Sequence, residues 1–368
     1  MPVPARILRA IETRAARLTR LEDAVVASVL DLLTDLQDEL VKELTKADPA
    51  GPQRITWRRA RLKKLLEQTE RQINEVYREL QKRSAAHLEV TARAELQFTT
   101  AQIRELLNPI RSFVSVNTVA ISPEILRQLA TNTVVHMGES LGALPMRDWL
   151  ADQARETQIR FAQQMHRAIL SGESTAQMVR RVVGARGRPG IMDVSRHLAE
   201  ALVRTSTQAV MGEARRTVYA KNRHAVKGIQ QITTEDDRTT LICIAYAGKK
   251  WRFLEDGSLE PVGHSLPYRG GIPRHPNCRS GEVPWVKSLE EMGITEADEV
   301  PPAIRRVLDG QGLPGKDGEA LLARIGPKRA REILGKGRWE LWEAGKLPLE
   351  DLVGPTGGVQ TLEQLRGG

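Results

Sequence analysis

Apolar positions recur at spacings of three and four through the first hundred residues. Ile7, Ile11, Leu18, Leu21, Val25, Val29, Leu33, Leu36, Leu40 and Leu44 form one stripe in a stretch, 5–47, that contains neither Gly nor Pro. Such a stripe marks the buried face of a long amphipathic helix. Asp48-Pro49-Ala50-Gly51-Pro52 breaks it, as a Pro/Gly cluster must. A second run without Gly or Pro, 53–108, carries Leu62, Leu66, Thr69, Ile73, Val76 and Leu80. These alternate at four and three, a coiled-coil-like seam that fades after Leu80. Two long helices joined by a short break predict an antiparallel hairpin over 1–110. The fading seam leaves room either for self-packing or for a partner.

From Arg111 to Ile121 the chain reads as a connector. Ser122-Pro123 then offers an N-cap followed by Pro at the first helical position. Helical patterning continues to Gly138, resumes from Pro145 to Leu170, and restarts at Thr175 after the turn Ser171-Gly172-Glu173-Ser174. Gly184–Gly190 is a basic loop. Its glycines are no nucleotide-binding fingerprint, because no strand precedes them and no Gly-Lys-Ser/Thr follows. Together 111–193 reads as a helical connector region.

Another helix is expected over Val194–Arg223. Its polar Arg204, Thr205 and Asn222 are expected to tie it to the unit that follows, since buried polar groups need partners. Runs 227–233 and 241–247 read as short strands, with Trp251-Arg252-Phe253 as a third, so 194–285 is expected to be a small α+β core. The tail, 286–368, is acidic and helical in patterning. Trp339 and Trp342 stand three apart on its last helix, and the end after Gly354 reads as strand-like or disordered. The fold class expected is mainly α with a small α+β core.

Charge adds one element. The chain of 368 residues has a formal net charge of +9, which points to an acidic partner such as nucleic acid. Arg54, Arg58, Arg59, Arg61, Lys63 and Lys64 form one basic cluster, and Arg180, Arg181, Arg186 and Arg188 another. Intermingled Glu allows the plainer reading of solvated helix faces, and no DNA-reading motif is present. No apolar run approaches the roughly 20 residues that span a bilayer. Met1–Leu21 lacks an apolar signal core and reads as the first turns of a helix. Two cysteines make no disulfide framework.

The chemistry-bearing residues collect in 237–280. Cys243 and Cys278 both lie there with His264 and His275. Zinc accepts two Cys and two His in a tetrahedral array, yet no metal ligand is assigned from these residues. His275-x-x-Cys278 is the one ligand-like spacing among them. The plainer readings are buried free thiols and a histidine that satisfies a carbonyl. Asp236, Asp237, His264 and His275 raise a metal-dependent nuclease. However, no second histidine joins His275 at helical spacing, and adjacent Asp residues more simply cap a turn. No catalytic or cofactor-binding residue is assigned.

The order of these features resembles the Mu F-like head morphogenesis family of tailed-phage minor head proteins. The resemblance covers about 168–285. It rests on Arg204-Thr205, Asn222, Thr233 with Asp237-Arg238-Thr239, Cys243, Gly248, and Pro273-x-His275-Pro276-x-Cys278-Arg279. The long N-terminal helices and the tail Ile333–Leu347 are similar to the flanks of such proteins. The family often shows two cysteine pairs, and here Thr240 and Ser280 stand where two of those cysteines would be; if those pairs hold zinc, the resemblance implies Cys243, Cys278, His275 and His264 as the candidate ligands here. The resemblance implies a non-enzymatic protein of the phage head, near the portal vertex, made in the host cytoplasm. Its implied partners are the portal protein, the major capsid or scaffold protein, and packaged DNA through the basic helices, with no membrane. Head assembly and DNA packaging would be its work. A sequence-independent nucleic-acid-binding protein is the alternative.

Overall fold

A computed structural model describes residues 3–46, 59–137, 142–234, 239–295, 305, 308 and 317–367, with the side chains of 3–12, 15–19 and 59–60 left aside. The protein is mainly α with a small β core. Two long helices, α1 (Val3–Lys46) and α2 (Arg59–Leu107), open the chain. Arg14 faces Glu95 and Ser28 faces Arg83, so the two run antiparallel. The break at 48–52 and the basic residues Arg54 and Arg58 lie outside the described residues.

From Val29 to Leu44 the α1 stripe is buried as its spacing demands, with Leu33, Leu40 and Leu44 fully so, whereas Leu21 is half exposed. The α2 seam does not end at Leu80. It changes character, and Ser84, Leu88, Thr91, Ala92, Glu95, Leu96, Thr99 and Ile103 are all buried. Those small and polar residues face α6 (Ile191–Lys221), which fills the hairpin from within the same chain. Thr207 meets His87, and the Arg215 guanidinium donates to buried Glu95 at 2.6 Å. Along α1 the partners are Arg196 with Gln37 and Arg204 with Asp23. Hence α6 runs parallel to α2 and antiparallel to α1. α4 (Met146–Leu170) closes the bundle, with Thr157 between Tyr77 and Ser195.

The shorter elements follow local signals. Ser122 accepts the Ile125 amide and starts α3 (Pro123–Asn132), and Ser174 with Gln177 makes a capping box for α5 (Thr175–Val183). Helix is expected to Gly138, but α3 stops at Asn132. β-branched Thr133-Val134-Val135 turn the chain into β1 (Val134–His136), paired antiparallel with β2 (Ala143–Pro145).

The four-stranded antiparallel sheet has the order β5-β4-β3-β6. Its strands are β3 (Val226–Ile232), β4 (Lys250–Phe253), β5 (Leu259–Val262) and β6 (Gly281–Val286). β3 and β4 fall where alternation places them. The strand expected at 241–247 is a helix, α7 (Leu241–Tyr246), because Thr240 caps it by accepting the Cys243 amide. A short buried apolar run carries no period of its own, so the cap decides. β6 holds Pro284 and is tolerated because it lies at the sheet edge. In the tail are α8 (Gly318–Leu334, kinked at Gly326), α9 (Lys336–Glu343) and α10 (Leu362–Gly367). The end after Gly354 is therefore helical in part, with one bridge between Val353 and Val359.

Among the described residues two hydrophobic cores result. One joins α1 to α6 with β3 and the end of β6, reaching Ile294 and Leu308. The other joins α7 and Trp251 to Leu321, Leu322, Leu334, Leu349 and Leu352 of the tail. Among the described residues no helix is long and apolar enough to cross a membrane.

Candidate functional site

Between these cores, chain segments far apart in sequence converge on Cys243. Thr240, the α7 cap, places its hydroxyl 3.3 Å from the Cys243 sulfur. His275 brings Nε2 to 3.1 Å of the same atom, and Ser280 brings its hydroxyl to 3.8 Å. With Cys278, the ligand atoms of Cys243 and His275 all lie within 4.8 Å of one another. Both thiols are free and buried. The two positions where the resembled family carries cysteine, Thr240 and Ser280, thus sit beside the sulfur of Cys243.

The loop that carries His275 and Cys278 is held from several sides. The Asn277 amide donates to the Thr205 hydroxyl of α6 at 3.1 Å, and Thr234 donates to the Arg279 carbonyl at 2.6 Å. Thr233 donates to the Cys243 carbonyl at 2.9 Å. Asn277 itself has φ +59, a backbone region that Asn tolerates better than most residues. Arg274, half-buried, lies over the rings of Tyr246, Trp251 and Tyr268 and donates to Gln231. The rigid floor of the loop is therefore an aromatic cage filled by its own arginine.

Electrostatics within the cluster are asymmetric. The hydrogen bond from Cys243 and the facing His275 hold the Cys278 thiol well below the ordinary range, against the effect of burial. Cys243 is pushed well up, because it donates to Cys278 and is buried. Burial works against a charged His275, but the hydrogen bond and charge of Cys278 outweigh it and raise its pKa. His275 Nδ1 faces the Pro276 carbonyl at 2.9 Å, which leaves Nε2 to the sulfurs.

Of the four candidate ligands, three come together and one does not. His264 lies elsewhere: Nε2 donates to the Lys250 carbonyl at 2.8 Å, Nδ1 accepts the Leu266 amide at 3.2 Å, and the ring packs edge-on to Trp251. Both ring nitrogens are engaged with backbone, so it is a structural histidine. Asp236 and Asp237 lie outside the described residues. No family model, curated protein or solved structure matches the chain.

The three polar residues expected to link α6 to the following unit divide their work. Thr205 does so through Asn277. Arg204 instead pairs with Asp23 of α1 at 2.8 Å and with Glu200 at 3.1 Å. Asn222 binds the connector, accepting the Asn117 amide at 2.8 Å and donating to the Asn117 carbonyl at 2.9 Å. Sequence reasoning missed half-buried Arg274 and buried Glu282, both near the site. The signal available was Arg274 beside three aromatics within thirty residues, but separation in sequence hides such a cage.

Proposed function

We propose that this protein is a minor head protein of a tailed phage that acts by binding and assembly rather than by catalysis. In this reading it associates with the portal protein and the capsid or scaffold interior, in the head near the portal vertex, after synthesis in the host cytoplasm. The observation that carries the proposal is the convergence of residues that bear the sequence resemblance. Thr205, Cys243, His275 and Cys278 are scattered over seventy-odd positions, yet they meet at one place, where Thr240 and Ser280, the two departures from the family pattern, also lie. Residues that only happen to match a pattern have no reason to share a site. The resemblance in turn supplies the phage role.

The sulfurs are too deeply buried for a macromolecular substrate to reach, which supports a structural rather than catalytic use of the site. Exposed Arg186 and Arg188 in the loop after α5 offer positive charge to packaged DNA.

Mass spectrometry of purified, DNA-filled particles, quantified against the portal, tests the reading. A fixed low ratio to portal supports it. Presence only in empty precursors supports an assembly factor that departs. Absence from both refutes it and favours the general nucleic-acid-binding alternative.

A further inference from the structure

We propose that Cys243, His275 and Cys278 bind a zinc ion, and that this ion fastens the tail-bearing core to the helical bundle. The inference stands on the geometry of the cluster whichever partner the protein serves.

Zinc–sulfur and zinc–nitrogen bonds of about 2.3 and 2.0 Å set tetrahedral ligand–ligand separations of roughly 3.5–3.8 Å. The three ligand atoms already lie within 4.8 Å of one another, with one pair at 3.1 Å, so small side-chain shifts complete the set. Two thiolates neutralise the divalent charge, which suits a buried site. The His275 ring is oriented as a ligand must be, with Nδ1 directed at the Pro276 carbonyl and Nε2 at the sulfurs. The hydroxyls of Thr240 and Ser280 flank Cys243, so the fourth ligand is an oxygen. A thiolate nucleophile is the rival use of such a cluster. With Cys243 at 4% and Cys278 at 1% exposure, no substrate reaches it, whereas a metal is taken up as the chain folds.

The ligands sit on different bodies. Cys243 is on α7, whose Ile244, Ala245 and Tyr246 belong to the core shared with the tail. His275 and Cys278 lie on the loop pinned to α6 through Thr205. A single ion therefore spans the junction of the two cores.

The test uses the full chain, reduced and handled without oxygen, titrated with Co(II) and then Zn(II). One equivalent of Co(II) per chain should give thiolate-to-cobalt charge transfer and the visible bands of a tetrahedral centre, both erased by Zn(II). Cys278→Ser should abolish the charge transfer. Ser280→Cys, which adds a thiol where the hydroxyl now faces Cys243, should tighten binding by about tenfold or more. This variant keeps the test decisive even where Cys278→Ser fails to fold. Chelation should speed proteolytic release of the tail beyond Val286. Absence of the bands, bands that survive Cys278→Ser, or no tightening in Ser280→Cys would each overturn the proposal.

Discussion

Glu22 gives the protein a pH-dependent weakness at the α1–α6 contact. Its carboxyl is buried between Arg204 and Gln208, the latter donating at 3.3 Å. Arg204 is already paired at 2.8 Å with Asp23 and 3.1 Å with Glu200, and its distance to Glu22 is 4.0 Å. Glu22 is thus the surplus carboxylate around one guanidinium. Burial pushes its pKa from the ordinary 4.5 up to about 7, with Arg204 and Gln208 offsetting only part. Because the folded pKa is raised, the folded state holds a proton that the unfolded state releases first. Stability from this group is complete below pH 4.5, declines as pH rises, and is lost above pH 7. At about 1.4 kcal/mol per tenfold change in proton affinity, the ionised carboxylate costs about 3 kcal/mol. Glu22→Gln retains the shape and an acceptor for Gln208 but cannot ionise. Urea unfolding at pH 4 and pH 8 should give equal stability for the two proteins at the lower pH. At pH 8 the variant should be more stable by about 3 kcal/mol. A variant less stable than the parent at pH 8 would refute the reasoning, since it would mean that pairing with Arg204 outweighs burial.

Other substitutions probe the packing that supports the site. Gly228→Ala would place a Cβ 2.1 Å from the Trp251 carbonyl oxygen and 3.0 Å from the Trp285 ring. Destabilisation of about 3 kcal/mol is expected, and an unchanged urea midpoint would contradict it. Arg215→Ala leaves fully buried Glu95 with only the longer Arg14 contact at 3.5 Å and should cost about 3 kcal/mol, with much of that recovered when Glu95→Leu is added to Arg215→Met. Additive losses in that double variant would show that the pair is not coupled. Thr205→Val removes the acceptor of the Asn277 amide; a loss of about 1–3 kcal/mol and faster hydrogen exchange at Asn277 should follow. Unchanged exchange there would rule out the link from α6 to the loop.

Where the chain signals its fold locally, the sequence was sufficient. The α1 stripe, the Ser122-Pro123 start, the turn before Thr175 and strand β3 rest on periods and caps contained in a few residues. Helix α7 is misread because Cys243–Ala247 is buried without a break, so its short run leaves no polar face to show a period. Strand β6 was hidden by Pro284, which only an edge position excuses. The seam beyond Leu80 looked faded because its partner, α6, asks for threonines and a glutamate rather than leucines. At the site, the His275-x-x-Cys278 spacing gave two members of the cluster. Adding Cys243 and excluding His264 both depended on tertiary placement, which pairs residues some thirty positions apart.

The polar stretch of α2 also restricts what can cover it. Glu95 and His87 meet Arg215 and Thr207 at a separation of 120 residues. Within the hairpin Glu95 has only Arg14 of α1, at 3.5 Å. A helix laid over this groove must therefore offer a cation at the level of Glu95, or it buries a carboxylate short of partners. The same residues that blur the seam in sequence therefore act as a lock that admits one helix in one register.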